Sequence, residues 1–160
     1  MLALLSSVAV FVRANGSALA DPPGNPYGVV LATDVNPDPA VVETTLVASE
    51  ALVDIGNGVM ANMWTFNGVV PGPEIRANVG DTVIVHFENQ LPEPMGIHWH
   101  GIELNNISDG TAITQNGVAT GDSYMYRFIV PRAGVFWYHP HHHPTNPTFR
   151  GMYGSFIVSD

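Results

Sequence analysis

Six of the seven histidines fall in two short runs, Ile97-His98-Trp99-His100-Gly101 and Trp137-Tyr138-His139-Pro140-His141-His142-His143. Each run holds a His-x-His pair, His98/His100 and His139/His141. In an extended chain, residues two apart share a face and lie about 6–7 Å apart. Each pair therefore presents two imidazoles to adjacent metal ions rather than chelating one. Imidazole suits zinc, copper, iron and nickel, and the motifs contain no carboxylate of the kind a hard cation requires. The chain has no cysteine. That excludes a thiol nucleophile, a Cys-based zinc or iron–sulfur site, and a blue-copper centre, whose His2Cys set needs a thiolate. Four imidazoles without a thiolate read as a metal site shared with something else.

Strands with turns between them must carry these pairs. Val42 to Ala48 is rich in β-formers, Gly56-Asn57-Gly58 is a turn, and Val59 to Phe66 returns as the partner strand of a hairpin. Asn67-Gly68 and Pro71-Gly72-Pro73 punctuate a connection that ends at Val79-Gly80-Asp81. In Thr82 to Glu88 the residues Val83, Val85 and Phe87 share one face, as a half-buried strand requires. Further strands are expected at 96–102, 123–130, 135–138 and 155–158, spaced as in an all-β sandwich. Pro144-Thr145-Asn146-Pro147 reads as a stiff loop, because both prolines fix φ. Asn106-Ile107-Ser108 is an N-glycosylation sequon, meaningful only in a eukaryotic secretory pathway.

The 160 residues suffice for one domain with a real core. Hydrophobic residues make up 46% and charged ones 12%, with 16 Gly and 13 Pro, a balance that suits a turn-rich β protein and argues against disorder. The formal net charge is −9, and all five basic residues are arginines, scattered singly from Arg13 to Arg150. No nucleic-acid partner is expected on this count, since phosphate binding needs a basic patch.

Residues 1–20 read as a secretory signal peptide. The apolar run Leu2 to Val12 precedes Ala18-Leu19-Ala20, a small-x-small cleavage site. The run is shorter than the roughly 20 apolar residues a membrane span needs, so no stable anchor is expected. Residues 21–40, rich in Pro, Gly, Asn and Asp, form an extended lead-in, and the folded domain occupies 41–160.

From Trp64 to Asp160 the chain resembles the N-terminal cupredoxin domain of the multicopper oxidases, the family of laccases and ascorbate oxidase. The resemblance rests on Phe66-Asn67-Gly68, Pro71-Gly72-Pro73, Ile75-Arg76-Ala77, Gly80-Asp81, His98-Trp99-His100-Gly101, Asp109-Gly110, Thr114-Gln115, Ala133-Gly134, Phe136 to His141, and Gly151-x-x-Gly154. It implies a Greek-key β-sandwich of the cupredoxin type and copper as the metal. His98 resembles the ligand of the type 2 copper, His100 and His139 those of one type 3 copper, and His141 a ligand of the other. Asp109 matches the acid that orients water and relays protons beside the type 2 site.

His142 and His143 go beyond the family's usual pattern and are not read as ligands. Three placements are open to them: hydrogen-bonded around the cluster, along an oxygen channel, or in solvent. His86 lies opposite Val83 and Val85 and reads as a surface histidine. Trp99 and Trp137 are expected to fill the sandwich or cover the site.

In the resembled family, oxygen is reduced by four electrons at a three-copper cluster of eight histidines, half of them from a C-terminal domain. Electrons enter through a type 1 copper bound by a cysteine. This sequence carries one half-set of histidines and no cysteine. The expected partners are therefore C-terminal cupredoxin domains or another subunit, with O2 as oxidant and a periplasmic or extracellular location. The alternative is a stand-alone copper-binding or copper-buffering protein without turnover.

Overall fold

The computed structural model describes residues 28–142 and 145–160. The signal-peptide reading at 1–20 and the first part of the lead-in lie outside these residues, as does His143. In chain order the strands are β1 (Val41–Asp54), β2 (Met60–Phe66), β3 (Gly72–Asn78), β4 (Thr82–Asn89), β5 (Ile97–His100), β6 (Ser123–Ile129), β7 (Gly134–Pro140) and β8 (Gly154–Ser159). A 3-10 turn at Asn106–Ser108 and a short helix, α1 (Thr145–Phe149), complete the described elements.

The strands form two four-stranded sheets, ordered β2-β1-β4-β6 and β3-β8-β7-β5. β1 runs parallel to β4 and β3 parallel to β8, while the remaining pairs are antiparallel. The fold is thus the all-β, cupredoxin-like sandwich expected from the sequence. The β1–β2 hairpin closes at Asn57-Gly58, with φ of 55° and 75°. A two-residue turn matched to the twist of its strands needs positive φ at both positions, which Asn and Gly tolerate.

Period-two alternation builds the core between the sheets. Val83, Val85 and Phe87 of β4 face inward with Tyr126 and Phe128 of β6, against Ile75, Phe136, Tyr138 and Phe156 of the other sheet. Trp99 of β5 is fully buried at their centre, with ring centroids 5.0 Å from Phe128, 5.7 Å from Tyr126 and 5.8 Å from Tyr138. Fixing Ile97 and Trp99 inward has a direct consequence. The neighbouring residues His98 and His100 must face outward, on the outer surface of the β3-β8-β7-β5 sheet.

Two expectations are corrected. Residues 72–78, read as a connection, form β3, which pairs with β8 and buries Ile75 and Ala77. The two prolines at 71 and 73 hid it; Gly72 and Pro73 stand at the start of the strand, where proline is tolerated. Residues 145–147, read as part of a stiff loop, open the short helix α1, which runs to Phe149. Pro147 is the third residue of this single turn, where a missing N–H costs no intrahelical bond.

Candidate metal centre

β5 and β7 are antiparallel neighbours, with His98 opposite His139 and His100 opposite Trp137. Past the end of β7 the His141 amide donates to the Gly96 carbonyl at 3.1 Å, which carries the pairing one step further and keeps His141 beside His98. The two His-x-His pairs therefore meet on one face. Ring centroids are 5.7 Å apart within His98/His100 and 6.1 Å within His139/His141. Across the pairs they are 5.5 Å for His98/His139, 5.5 Å for His100/His139 and 5.1 Å for His98/His141. One nitrogen each of His98, His100 and His139 lies within 4.8 Å of the others, an arrangement able to hold a metal ion.

The backbone fixes which nitrogens are available. His98 Nδ1 stands 2.9 Å from the Asp109 carbonyl oxygen, and His139 Nδ1 2.9 Å from the Pro140 carbonyl oxygen. Carbonyl oxygens only accept, so in the neutral rings both Nδ1 atoms carry the proton and both Nε2 atoms carry the lone pair. Burial pushes the His139 imidazole below its ordinary value of 6.5 and outweighs the Pro140 hydrogen bond; His98, His100 and His141 push it the same way. His139 is thus held neutral, the form in which imidazole binds metals.

The donor atoms fit an ion. His100 Nδ1 and His139 Nε2 are 3.3 Å apart. Two nitrogens each about 2.0 Å from one tetrahedral ion are separated by about 3.3 Å. Trp137 covers this pair, its ring 4.0 Å from His139 at 25° and 5.0 Å from His100 at 29°, both stacked. Trp137 therefore lies over the cluster while Trp99 fills the core.

Asp109 reaches the same cluster, and its closest contact is made by its backbone. Its carbonyl takes the 2.9 Å contact with His98, while its carboxylate Oδ1 is 3.4 Å from the same nitrogen. The 3-10 turn before it is pinned to β6 by Ser108 Oγ, which donates to the Arg127 carbonyl at 2.8 Å. Gly110 follows with φ +74°, so close to Ile97 that a Cβ there would lie 1.7 Å from the Ile97 carbonyl oxygen. No spacing rule signals that backbone contact.

The other histidines are elsewhere. His86 lies on the outer face of the opposite sheet, its Nε2 2.7 Å from Glu43 Oε1. His142 is half-buried and turned toward Gln115, with Nε2 3.3 Å from the Gln115 carbonyl oxygen. Two shallow grooves, one lined by Glu103, Arg127 and Ile129 and the other by Gln115, Gly117 and Tyr124, include none of the clustered histidines.

A two-sheet sandwich with an imidazole cluster on the outer face of one sheet defines a metal-binding domain of the cupredoxin type. The multicopper oxidase family model matches residues 48–160, and the chain belongs to that family, which implies copper. It is 42% identical over 130 residues to laccase-2 of Cryptococcus neoformans var. grubii, covering 79% of this chain and 21% of that protein. It is 41% identical over 100 residues to the multicopper oxidase MmcO of Mycobacterium tuberculosis, covering 62% of this chain and 20% of that one. Among solved structures, a metallo-oxidase of the same family from Campylobacter jejuni superposes with a TM-score of 0.75 at 30% identity, over 82% of this chain and 28% of that one. The chain spans about a fifth of the length of these curated relatives. No helix among the described residues is long and apolar enough to cross a membrane.

Proposed function

We propose that this chain is the copper-binding N-terminal cupredoxin domain, residues 41–160, of a laccase-type multicopper oxidase. It would supply half of the histidines of the three-copper cluster that reduces O2 to water. The observation that carries this reading is the convergence of His98, His100 and His139, with donor atoms within 4.8 Å, on the outer face of a sheet. Single-metal closure by this chain alone is not what the arrangement suits, because β5 and β7 supply ligands from one side only.

In this reading His98 Nε2 would hold the type 2 copper, His100 and His139 one type 3 copper, and His141 the other. Bound copper would supply one-electron redox chemistry and the site for oxygen. The protein's part is to aim the imidazoles and, at His139, to favour the neutral ring by burying it. The Asp109 and Pro140 carbonyls fix the Nδ1 protons of His98 and His139, leaving their Nε2 lone pairs for the metal. Trp137 stacks on the His100 and His139 rings and limits how they can turn. The Asp109 carboxylate, beside His98, would orient water and pass protons toward reduced oxygen.

The same face is suited to docking against C-terminal cupredoxin domains or another subunit. Val135 and Trp137 alternate with His139 on β7 and are 81% and 38% exposed, an apolar border around the ligands. We place the protein in the periplasm or outside the cell, with residues 1–20 as signal peptide and 21–40 as lead-in. A stand-alone copper-binding protein without turnover is the second reading. It is favoured by the approach of His98, His100 and His139, whose donor atoms could hold a copper ion with open positions and without a partner domain.

Joining the chain to C-terminal domains that carry a His-Cys-His motif distinguishes the two. Oxygen-consuming oxidation of a phenol, lost on His100→Ala, supports the oxidase reading. Full activity after that substitution contradicts the role of His100. The chain alone should bind copper weakly, with negligible oxidase activity and no intense blue band, since that band needs a thiolate.

A further inference from the structure

His141 and His142 are consecutive, so in extended chain their side chains point to opposite sides. His141 joins the cluster and His142 turns to the back of it, where three segments cross at Gly96. A Cβ at Gly96 would stand 2.9 Å from the Gly110 carbonyl oxygen, 3.1 Å from Gln115 Nε2 and 3.1 Å from His142 Cε1. Only a residue without a side chain lets the His142 ring, the Gln115 amide and the Asp109-Gly110 turn pack together there.

Hydrogen bonds close a circuit around this crossing. His142 Nε2 donates to the Gln115 carbonyl at 3.3 Å. Gln115 Nε2 donates to the Tyr126 hydroxyl at 3.2 Å, and the same oxygen accepts from the Ile97 amide at 2.8 Å. The His141 amide then returns to the Gly96 carbonyl at 3.1 Å. The circuit thus runs from the residue before His98 to the residue after His141. The other ring nitrogen of His142, Nδ1, is buried without a partner among the described residues, so the Nε2 contact is the hydrogen bond that holds the ring there.

We propose that His142 is a positioning residue that locks one end of the candidate copper cluster. By tying the chain after His141 to Gln115, and through Tyr126 to Ile97, it fixes His141 against His98, whose ring centroids are 5.1 Å apart. It binds no metal itself. This inference rests on the reading of His98 and His141 as copper ligands.

The test uses the full 160-residue chain. Copper(II) affinity is measured by competition with a chelator, directly bound imidazoles are counted by pulsed EPR, and unfolding is followed by thermal melting. His142→Phe fills the space without donating, and His142→Gln keeps a donor. His142→Phe should bind copper about ten-fold more weakly, the effect of losing an outer hydrogen bond at a metal site. Its imidazole count should equal that of the wild type, whereas the His141→Ala control should lose one. His142→Gln should recover most of the affinity.

Unchanged affinity in His142→Phe overturns the proposal. Loss of a bound imidazole in that variant also overturns it, because His142 is then a ligand. If His142→Phe does not fold, His142→Gln decides: ten-fold weaker binding at a wild-type melting temperature removes the role given to the donor. Failure of the wild-type chain to bind copper overturns the ligand reading and this inference with it; copper binding by the wild type with unchanged affinity in His142→Phe overturns this inference alone.

Discussion

Gly110→Ala tests whether the backbone beside Asp109 holds His98 in place. An added Cβ would lie 1.7 Å from the Ile97 carbonyl oxygen and 3.0 Å from the His98 amide nitrogen. Hard-sphere contact between a carbon and a carbonyl oxygen begins at about 3 Å, so one of the two segments must retreat by roughly 1.3 Å. The contact from His98 Nδ1 to the Asp109 carbonyl is 2.9 Å long. A shift of that size takes it beyond the range of about 3.2 Å in which an N–H···O bond holds.

A left-handed backbone with a side chain costs a further 1–2 kcal/mol, roughly. The expected result is a melting temperature lower by several degrees and copper affinity reduced about 10- to 100-fold. Gly68→Ala is the control. Gly68 has φ +76° with nothing within 4 Å of a built Cβ, so it carries the backbone cost without the clash. It should lose stability and keep its copper affinity. Thermal melting with competitive copper titration measures both effects. A folded Gly110→Ala protein that binds copper like the wild type would refute the account of how His98 is held.

Trp137 stacks on two candidate ligand rings, so copper(II) bound there should quench its emission by contact; Trp137→Phe should abolish most of the quench, and an undiminished quench would place the copper elsewhere. Trp99 is fully buried against both sheets, and Trp99→Ala should cost about 3–5 kcal/mol in urea unfolding, so a loss below about 1 kcal/mol would remove it from the core argument. The Glu43 carboxyl is held below its ordinary value of 4.5, first by the hydrogen bond from His86 and then by that from Asn36. A depressed folded value means stability that is present above about pH 4.5 and lost as the pH falls through the folded value. Glu43→Gln should therefore flatten the fall of melting temperature on acidification below that point, and an unchanged slope would contradict the pairing.

The sequence carried the parity of the site well. Val83, Val85 and Phe87 alternate clearly, and the two His-x-His motifs lie in β-reading segments with a tryptophan between or beside them. Once Ile97 and Trp99 are known to be inside, His98 and His100 can only be outside. The non-local features were less legible. β3 offers just two inward apolar residues, Ile75 and Ala77, behind a Pro-Gly-Pro turn, and its pairing with β8 joins segments about 80 residues apart. The Glu43–His86 contact likewise depends on the parallel register of β1 and β4, which no local pattern specifies.

At the site, the family resemblance pointed to the acid of Asp109 but could not show that its carbonyl makes the closer contact. Nor could it choose among the placements open to His142. That choice was made by the bare backbone of Gly96, which leaves room for an imidazole on the side away from the cluster.

The central claim is that the converging imidazoles are copper ligands. Anomalous diffraction from a crystal of this chain soaked in copper tests it most directly. The account predicts a peak about 2.0 Å from both His100 Nδ1 and His139 Nε2, with any second peak at His98 Nε2 or His141. Copper bound at His86 or His142 with none at the His100–His139 pair would contradict it.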